Sequence, residues 1–556
     1  MRRLGLMLLV LGCAHAARSN NPENWLELRS EHFILRTDLP EEDARKSVSD
    51  MEFARVALMG AGWHSNHESK VRTVVVEVAS RAEMEEFARK GYEGFATSDA
   101  FGQPMIVISA EQDVLQQELF KHELTHVIND GFLVSKPRWV NEGIACYLET
   151  LEIKRGPNEA TMGRPSVERL EYLQQKPVGR WFSIIDTGSE AMRQSAEEGY
   201  AFETGAWALV HYFVDNKAGA FESYLNQLAH GADAWKAFNI AFPGLREEQL
   251  GASMRDYLKA GKLRLDTLPI TFTRPEILLQ HLEPAEVFSL RADLMRLSPG
   301  YSPRKELVDI ELRRALAFDP GNPYALMLQE GSDPKAAIAA HPDDWRAWLL
   351  ASDRNNDDRE SIDRAAKLAP EDAGVLARLT IAELRAGEYA RALAHAALAA
   401  ELSPGRSGVL DSLAQAYAAN GRCDDAQITE QRAIDAIPDA ASSGVPRAML
   451  QRQRELRDHC TPAAAAPVVS RVTMTPVKAK SCKKAPPQMP ARAELQAEFT
   501  LTEQGGVKGV KVTGEAPAAV RSALQRYIES CTYEPVIVDG KARELQTTAT
   551  FRAERK

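Results

Sequence analysis

The period of apolar and polar positions changes along the chain, and the changes divide it. Near the start, strand-length apolar runs alternate with helical spacing. Phe33-Ile34-Leu35 is a short run, Glu42 to Leu58 has helical spacing, and Val71 to Val78 is rich in Val. Met105-Ile106-Val107-Ile108 follows the turn-forming Gly102-Gln103-Pro104. These patterns predict a small sheet with helices. From Asp113 the pattern is mainly helical. Leu115, Leu119, Leu124, Val127 and Ile128 mark a long helix expected to end near Gly131, a natural C-cap residue. A second helix is predicted from Val140 to Leu151, with others at Val167 to Gln175, Thr204 to Val214 and Phe221 to Leu228.

A repeat follows. Pro370, Pro404 and Pro438 are 34 residues apart. Leu376, Leu379, Gly387, Ala392 and Ala399 in one unit match Leu410, Leu413, Gly421, Ala426 and Ala433 in the next. Each unit reads as two short helices around a Gly turn. Shorter, degenerate versions end at Pro320 and Pro342, with Trp345 and Trp348 where a first helix would pack. The period and pattern resemble the tetratricopeptide repeat, which implies an all-α helical array over about residues 275–460.

Residues 461–492 form a basic Pro/Ala-rich segment whose composition predicts an extended linker. Beyond it Leu495, Ala497, Phe499 and Leu501 alternate, Gly505-Gly506 turns, and Val510 and Val512 suggest a second strand. Val520, Leu524 and Ile528 stripe a helix, Tyr533-Glu534-Pro535 opens a third strand, Asp539-Gly540 turns, and Leu545 to Phe551 is a fourth. This small α+β unit, residues 493–556, is similar to the C-terminal domain of TonB. The resemblance implies a binding or anchoring module rather than an energy transducer, because the chain opens on a cleavable-looking leader and not on a membrane-spanning helix.

Composition narrows the compartment. The hydrophobic fraction is 44% and the charged fraction 26%, which excludes wholesale disorder and a polytopic membrane protein. The net charge of −10 argues against a nucleic-acid partner. Residues 1–16 combine Arg2 and Arg3, the apolar Leu4 to Leu11 and a small-x-small Ala14-His15-Ala16 site, which predicts a signal peptide. Val10-Leu11-Gly12-Cys13 also resembles a bacterial lipobox, with Cys13 as the lipid-bearing residue. The expected location is the periplasm or cell envelope, with contact to a membrane only through that lipid. Six cysteines are compatible with one or two bridges, and adjacency suggests Cys423–Cys460 and Cys482–Cys531 with Cys146 unpaired.

The chemistry is concentrated in His122-Glu123-Leu124-Thr125-His126. On a helix, positions four apart share a face, so His122 and His126 can offer imidazole nitrogens to one metal ion. Glu123 projects toward a water on that metal and can act as general base. A catalytic zinc takes three protein ligands and keeps one position open. Glu142, in Trp139-Val140-Asn141-Glu142-Gly143-Ile144-Ala145-Cys146-Tyr147-Leu148-Glu149, opens the next helix after a loop held by Pro137 and would return to the histidines.

Residues 23–265 thereby resemble the gluzincin metallopeptidases, especially bacterial peptidase-MA-like proteins. The 139–149 segment is similar to that of the aminopeptidase N family. The resemblance implies a Zn2+ site of His122, His126 and Glu142, with Glu123 as base. The spacer from His126 to Glu142, 15 residues, is shorter than in aminopeptidase N, and no motif for anchoring a substrate amine lies upstream. Relatives of that family place a Tyr ahead of Gly-Ala on a later helix. Here Phe202 falls at that place, and Tyr200, two residues earlier, is the candidate oxyanion donor, with His211 and Tyr212 as alternatives. Glu149 is either a supporting carboxylate or a surface one. The expected protein is an exported zinc metallopeptidase acting on a peptide or protein, with protein partners held by the repeats or the tail. The alternative is a cell-envelope scaffold with a vestigial site.

Overall fold

The computed structural model describes residues 21–63, 72–90, 94–186, 196–298, 304–355, 358–437, 447–460, 479–483, 494–514, 517–533, 536–538, 541–543 and 545–552. The leader with Cys13, Pro438, Asp539-Gly540 and most of the basic segment lie outside these residues. The chain divides into two compact units, residues 1–461 and 462–556. It is multidomain, with an α/β region first and a large helical region after it. Among the described residues no helix is long and apolar enough to cross a membrane.

The first unit is built on a mixed six-stranded sheet. Its strands are β1 (Leu26–Arg29), β2 (Phe33–Thr37), β3 (Thr73–Val78), β4 (Gly94–Ser98), β5 (Pro104–Ser109) and β9 (Leu278–His281), in the order β4-β5-β3-β2-β1-β9. The pairs β2–β3 and β3–β5 are parallel and the others antiparallel. Every residue of β3 is buried, as expected where helices cover both faces of a sheet. Val75, Ile106 and Ile108 face α1 (Glu41–Gly62), α3 (Glu118–Phe132) and α4 (Arg138–Glu149). Val74, Val76 and Val107 face the opposite way, onto α2 (Arg81–Phe87) and α10 (Pro284–Leu297).

Several elements differ from the sequence expectation. Strand β9 and helix α10 lie beyond residue 265, yet they pair with β1 and cover a face of the sheet. Helix α3 runs through Gly131 to Phe132 and closes on Leu133, so Gly131 is not its cap. Helix α4 starts at Arg138 directly after Pro137, ahead of the expected start at Val140. The stretches expected at 204–214 and 221–228 belong to a single helical segment, α7 (Ala196–Ala229), kinked at Lys217. Between α4 and α7 lie the hairpin of β6 (Glu152–Lys154) and β7 (Glu159–Met162), whose second strand also pairs with a later β8 (Asp266–Pro269), and helices α5 (Val167–Gln175) and α6 (Trp181–Ile185). Helices α8 (Ala234–Ala241) and α9 (Glu247–Ala260) complete this layer.

The helical region continues from α10 through α11 (Lys305–Phe318), α12 (Pro323–Leu328), α13 (Pro334–Ala340), α14 (Trp345–Arg354), α15 (Arg359–Leu368), α16 (Ala373–Arg385), α17 (Tyr389–Leu402), α18 (Ser407–Ala419), α19 (Cys423–Asp435) and α20 (Arg447–His459). Gly387 and Gly421 turn the chain between paired helices at φ +75° and +70°, conformations that glycine adopts without strain. The apolar contacts form small clusters between neighbouring helices. Phe101, at the β4–β5 turn, inserts between Tyr324 and Trp345 with ring centroids 5.5 Å from each. Cys423 and Cys460 are bonded.

In the second unit β11 (Glu494–Leu501) lies between β12 (Val507–Gly514) and β16 (Leu545–Arg552), all antiparallel. Leu495, Ala497, Phe499 and Leu501 share a buried face with Leu524 and Ile528 of α21 (Ala518–Ile528). The segment expected to be an unpacked linker contributes a strand, β10 (Ala479–Cys482). It pairs with β13 (Cys531–Tyr533) and is fastened there by Cys482–Cys531. Cross-strand pairing overrides its polar, Lys-rich composition. A further hairpin joins β14 (Val536–Val538) and β15 (Lys541–Arg543).

Candidate metal centre

Helices α3 and α4 form an antiparallel hairpin whose facing sides carry the polar residues. Its closure is fixed at both ends. Asn129 Nδ2 donates to Asn141 Oδ1 at 2.9 Å, and Lys121 Nζ donates to the Leu151 carbonyl at 2.8 Å. Burial pushes the Lys121 ammonium down to about 8. Behind the hairpin, Gly143 lets α4 touch α7. A β-carbon there would lie 2.7 Å from the Ala206 carbonyl oxygen and 2.7 Å from Val210 Cγ2.

Inside the hairpin His122, His126 and Glu142 converge. The two Nε2 atoms are 3.1 Å apart. Glu142 Oε2 is 3.6 Å from His122 Nε2 and 3.5 Å from His126 Nε2. Ligand atoms about 2.0–2.1 Å from a tetrahedral zinc are roughly 3.3 Å from one another, so the donor set fits such an ion. Burial opposes charge on Glu142, but His126 and His122 hold its carboxyl well below the usual carboxylate range. His126 Nδ1 is buried without a hydrogen-bond partner.

The other nitrogen of His122 has a different role. Its Nδ1 donates to Glu149 Oε2 at 2.9 Å, which fixes the tautomer and leaves the Nε2 lone pair facing His126 and Glu142. Cys146 Sγ is 4.0 Å from the same Nδ1. His122, Cys146 and Glu149 therefore make a second group that could hold a metal. The first group suits one better. Burial pushes the Cys146 thiol up to about 12, and Glu149 is already bonded by Arg169, whose Nε and Nη2 lie 3.1 and 2.9 Å from Oε1.

Glu123 is half-buried on α3, with its charge felt by His126. Tyr200, on the first turns of α7, lies on the Glu149–Arg169 side of His122. Its ring sits under the Arg169 guanidinium at 5.3 Å and edge-on to Tyr172 at 5.1 Å. Phe202 is buried beneath Arg138. Of the alternative donors, His211 is fully buried between Tyr147 and Trp207, behind α4. Tyr212 packs on Phe213 and Tyr257.

Three contributors were not singled out from the sequence. Arg169 reaches Glu149 from a later helix, and the Asn129–Asn141 pair bridges the two helices of the hairpin, contacts that no local pattern marks. Glu203 is a fourth carboxylate near the site, 3.8 Å from Arg169 Nη1. Burial and the nearby Glu142 raise its pKa. The placement of Glu203 one turn after Tyr200 is the signal that was available.

Residues 120–232, from α3 to the end of α7, match a family described as a protein of unknown function (DUF1570). No curated protein matches the chain.

Proposed function

We propose that the protein is a zinc metallopeptidase that hydrolyses peptide bonds. The carrying observation is the convergence of two imidazole nitrogens and a carboxylate oxygen within 3.1–3.6 Å of one another. Positive charge is drawn to that arrangement: without a metal it is supplied by protons on the imidazoles, which burial opposes but Glu142 favours, and a bound cation would take their place. Zinc bound by His122, His126 and Glu142 would supply Lewis acidity toward the scissile carbonyl and toward water. Glu123, beside His126 on the same helix, takes the proton from the attacking water and passes it to the leaving amine. Tyr200 is the donor expected from the sequence for the developing oxyanion, but its ring is held under Arg169 on the Nδ1 side of His122, so in that role its turn must move toward the Nε2 side.

The wider reading extends from the site. The helix pairs with Gly387 and Gly421 at their turns support a tetratricopeptide-like array. The sheet and helix of the second unit support a TonB-C-like module that binds protein. Two disulfides agree with export to the periplasm or cell envelope. The absence of a hydroxyl at Phe202 favours a second reading, a scaffold whose peptidase site is vestigial.

Metal analysis and turnover on a quenched peptide library separate the two. The purified chain should hold about one zinc. Glu123→Gln should keep the metal and lose activity by about 10²–10⁴-fold. Metal-loaded wild type that cleaves no peptide would support the scaffold, and Glu123→Gln that cleaves at the wild-type rate would sink the assigned base.

A further inference from the structure

We infer that Arg169 is a positioning residue of the metal centre, fixing the ring of His122 through Glu149 and docking the Tyr200–Thr204 turn against the same guanidinium. The inference rests on the metal-site reading above and adds a residue outside the HExxH segment and the helix that follows it.

The geometry runs through four helices. Arg169 is the third residue of α5, and its backbone N–H is capped by Ser166 Oγ at 3.3 Å. The side chain is 8% exposed, so its charge must be met by protein. Two of its donors, Nε and Nη2, meet the single oxygen Oε1 of Glu149 at 3.1 and 2.9 Å. The other oxygen, Oε2, is thereby left to accept from His122 Nδ1 at 2.9 Å. The third nitrogen, Nη1, points to α7, 3.4 Å from Thr204 Oγ1 and 3.8 Å from Glu203. The face of the guanidinium lies over Tyr200.

Only a planar fork serves all these directions at once. A lysine ammonium carries its donors on one atom and cannot hold Oε1 from two nitrogens while reaching Thr204. The consequence for His122 is electronic as well as steric. A carboxylate that accepts from Nδ1 raises the basicity of Nε2 and fixes the ring plane. Arg169 holds that carboxylate in place and tempers its pull on the Nδ1 proton. The same contacts would also weld helices together, and that rival role moves stability without moving metal ligation.

The test uses the full chain, zinc retention against a competing chelator, and the visible absorption of the cobalt-substituted protein. Arg169→Gln should weaken zinc retention by about 10–100-fold and shift the cobalt bands. Arg169→Lys should recover part of the affinity but not the wild-type spectrum. Because loss of a buried guanidinium can unfold the region, Glu149→Gln serves as a second variant of unchanged size, expected to shift the spectrum in its own right. In the double variant the two losses should not add, since both act on one ring. Wild-type affinity and spectrum in Arg169→Gln or in Glu149→Gln, or additive losses in the double variant, overturn the inference while the zinc reading stands. A wild-type chain that takes up neither zinc nor cobalt overturns the zinc reading and this inference with it.

Discussion

The hairpin α3–α4 and the hairpin α18–α19 are both antiparallel helix pairs, and they are held by different forces. In α3–α4 the contacts are directional: Asn129 to Asn141, Lys121 to the Leu151 carbonyl, His122 to Glu149. In the α17–α19 stretch they are mostly apolar and small. Ala396 lies with Leu413 and Ala416, and Leu410 lies with Ala433 and Ile434. Directional bonds fix atoms to tenths of an ångström but leave costly unpaired groups when disturbed. Small apolar faces give stability that adds up between neighbours and tolerates adjustment. The first hairpin is therefore suited to hold a metal, and the second to extend a scaffold.

The largest expected effect tests that contrast at Gly143. Gly143→Val places atoms within 2.7 Å of the α7 backbone, and α4 must move away. A loss of about 3 kcal/mol is expected, together with a fall in zinc retention, because α4 carries Glu142. Denaturant titration and metal analysis read both. A stable variant with full zinc would show that the close approach does not set the site.

The counterpart in the helical region is the Cys423–Cys460 bridge, which closes a loop of 37 residues. Replacing both cysteines by serine should lower stability by about 2–4 kcal/mol by freeing the unfolded chain. Zinc retention and peptide cleavage should stay at wild-type values. A matching loss of zinc would mean that the last helices and the metal hairpin act as one element, and the contrast would fail.

What the sequence reveals follows the same division. His122, His126 and Glu142 are legible because their spacing on two helices is a local property, and the structure brings all three together. Arg169 is not legible, because it reaches Glu149 from another helix and its own segment reads as an ordinary amphipathic turn. The strands β9 and β10 fail for another reason. Leu278-Leu279-Gln280-His281 is largely exposed along an edge, and Ala479 to Cys482 is polar, so neither alternates. Pairing with β1 and β13 makes them strands, and pairing is not written in composition. The 34-residue period is legible because each unit repeats its own short-range contacts.

One buried histidine sharpens the contrast by pH. His395 in the helical region bonds Glu383 at 2.8 Å. His211 has neither ring nitrogen bonded, and burial pushes it down to about 3. Below the ordinary imidazole value near 6.5 the unfolded chain binds a proton that the native chain refuses. Stability is therefore lost as pH falls, by about 1.4 kcal/mol per unit, or roughly 2 kcal/mol at pH 5. His211→Phe should remove that part of the slope in metal-free protein. Equal losses for wild type and variant between pH 7.5 and pH 5 would show that His211 is paired in solution.

The smallest effect is expected at Gly387, and it makes the strictest comparison with Gly143 because the two glycines serve different ends. Gly387 turns α16 into α17 at φ +75°, and a β-carbon there would meet nothing within 4 Å. Gly387→Ala should therefore cost only the strain of a left-handed alanine, about 1 kcal/mol. It adds no contact that could push a helix. The midpoint of unfolding should fall slightly, while zinc retention and the cobalt spectrum stay unchanged. A spectrum that moves with Gly387→Ala, at a site this lightly packed, would show strain passing from the repeats to His122. The helical region would then be a working part of the metal centre rather than its scaffold.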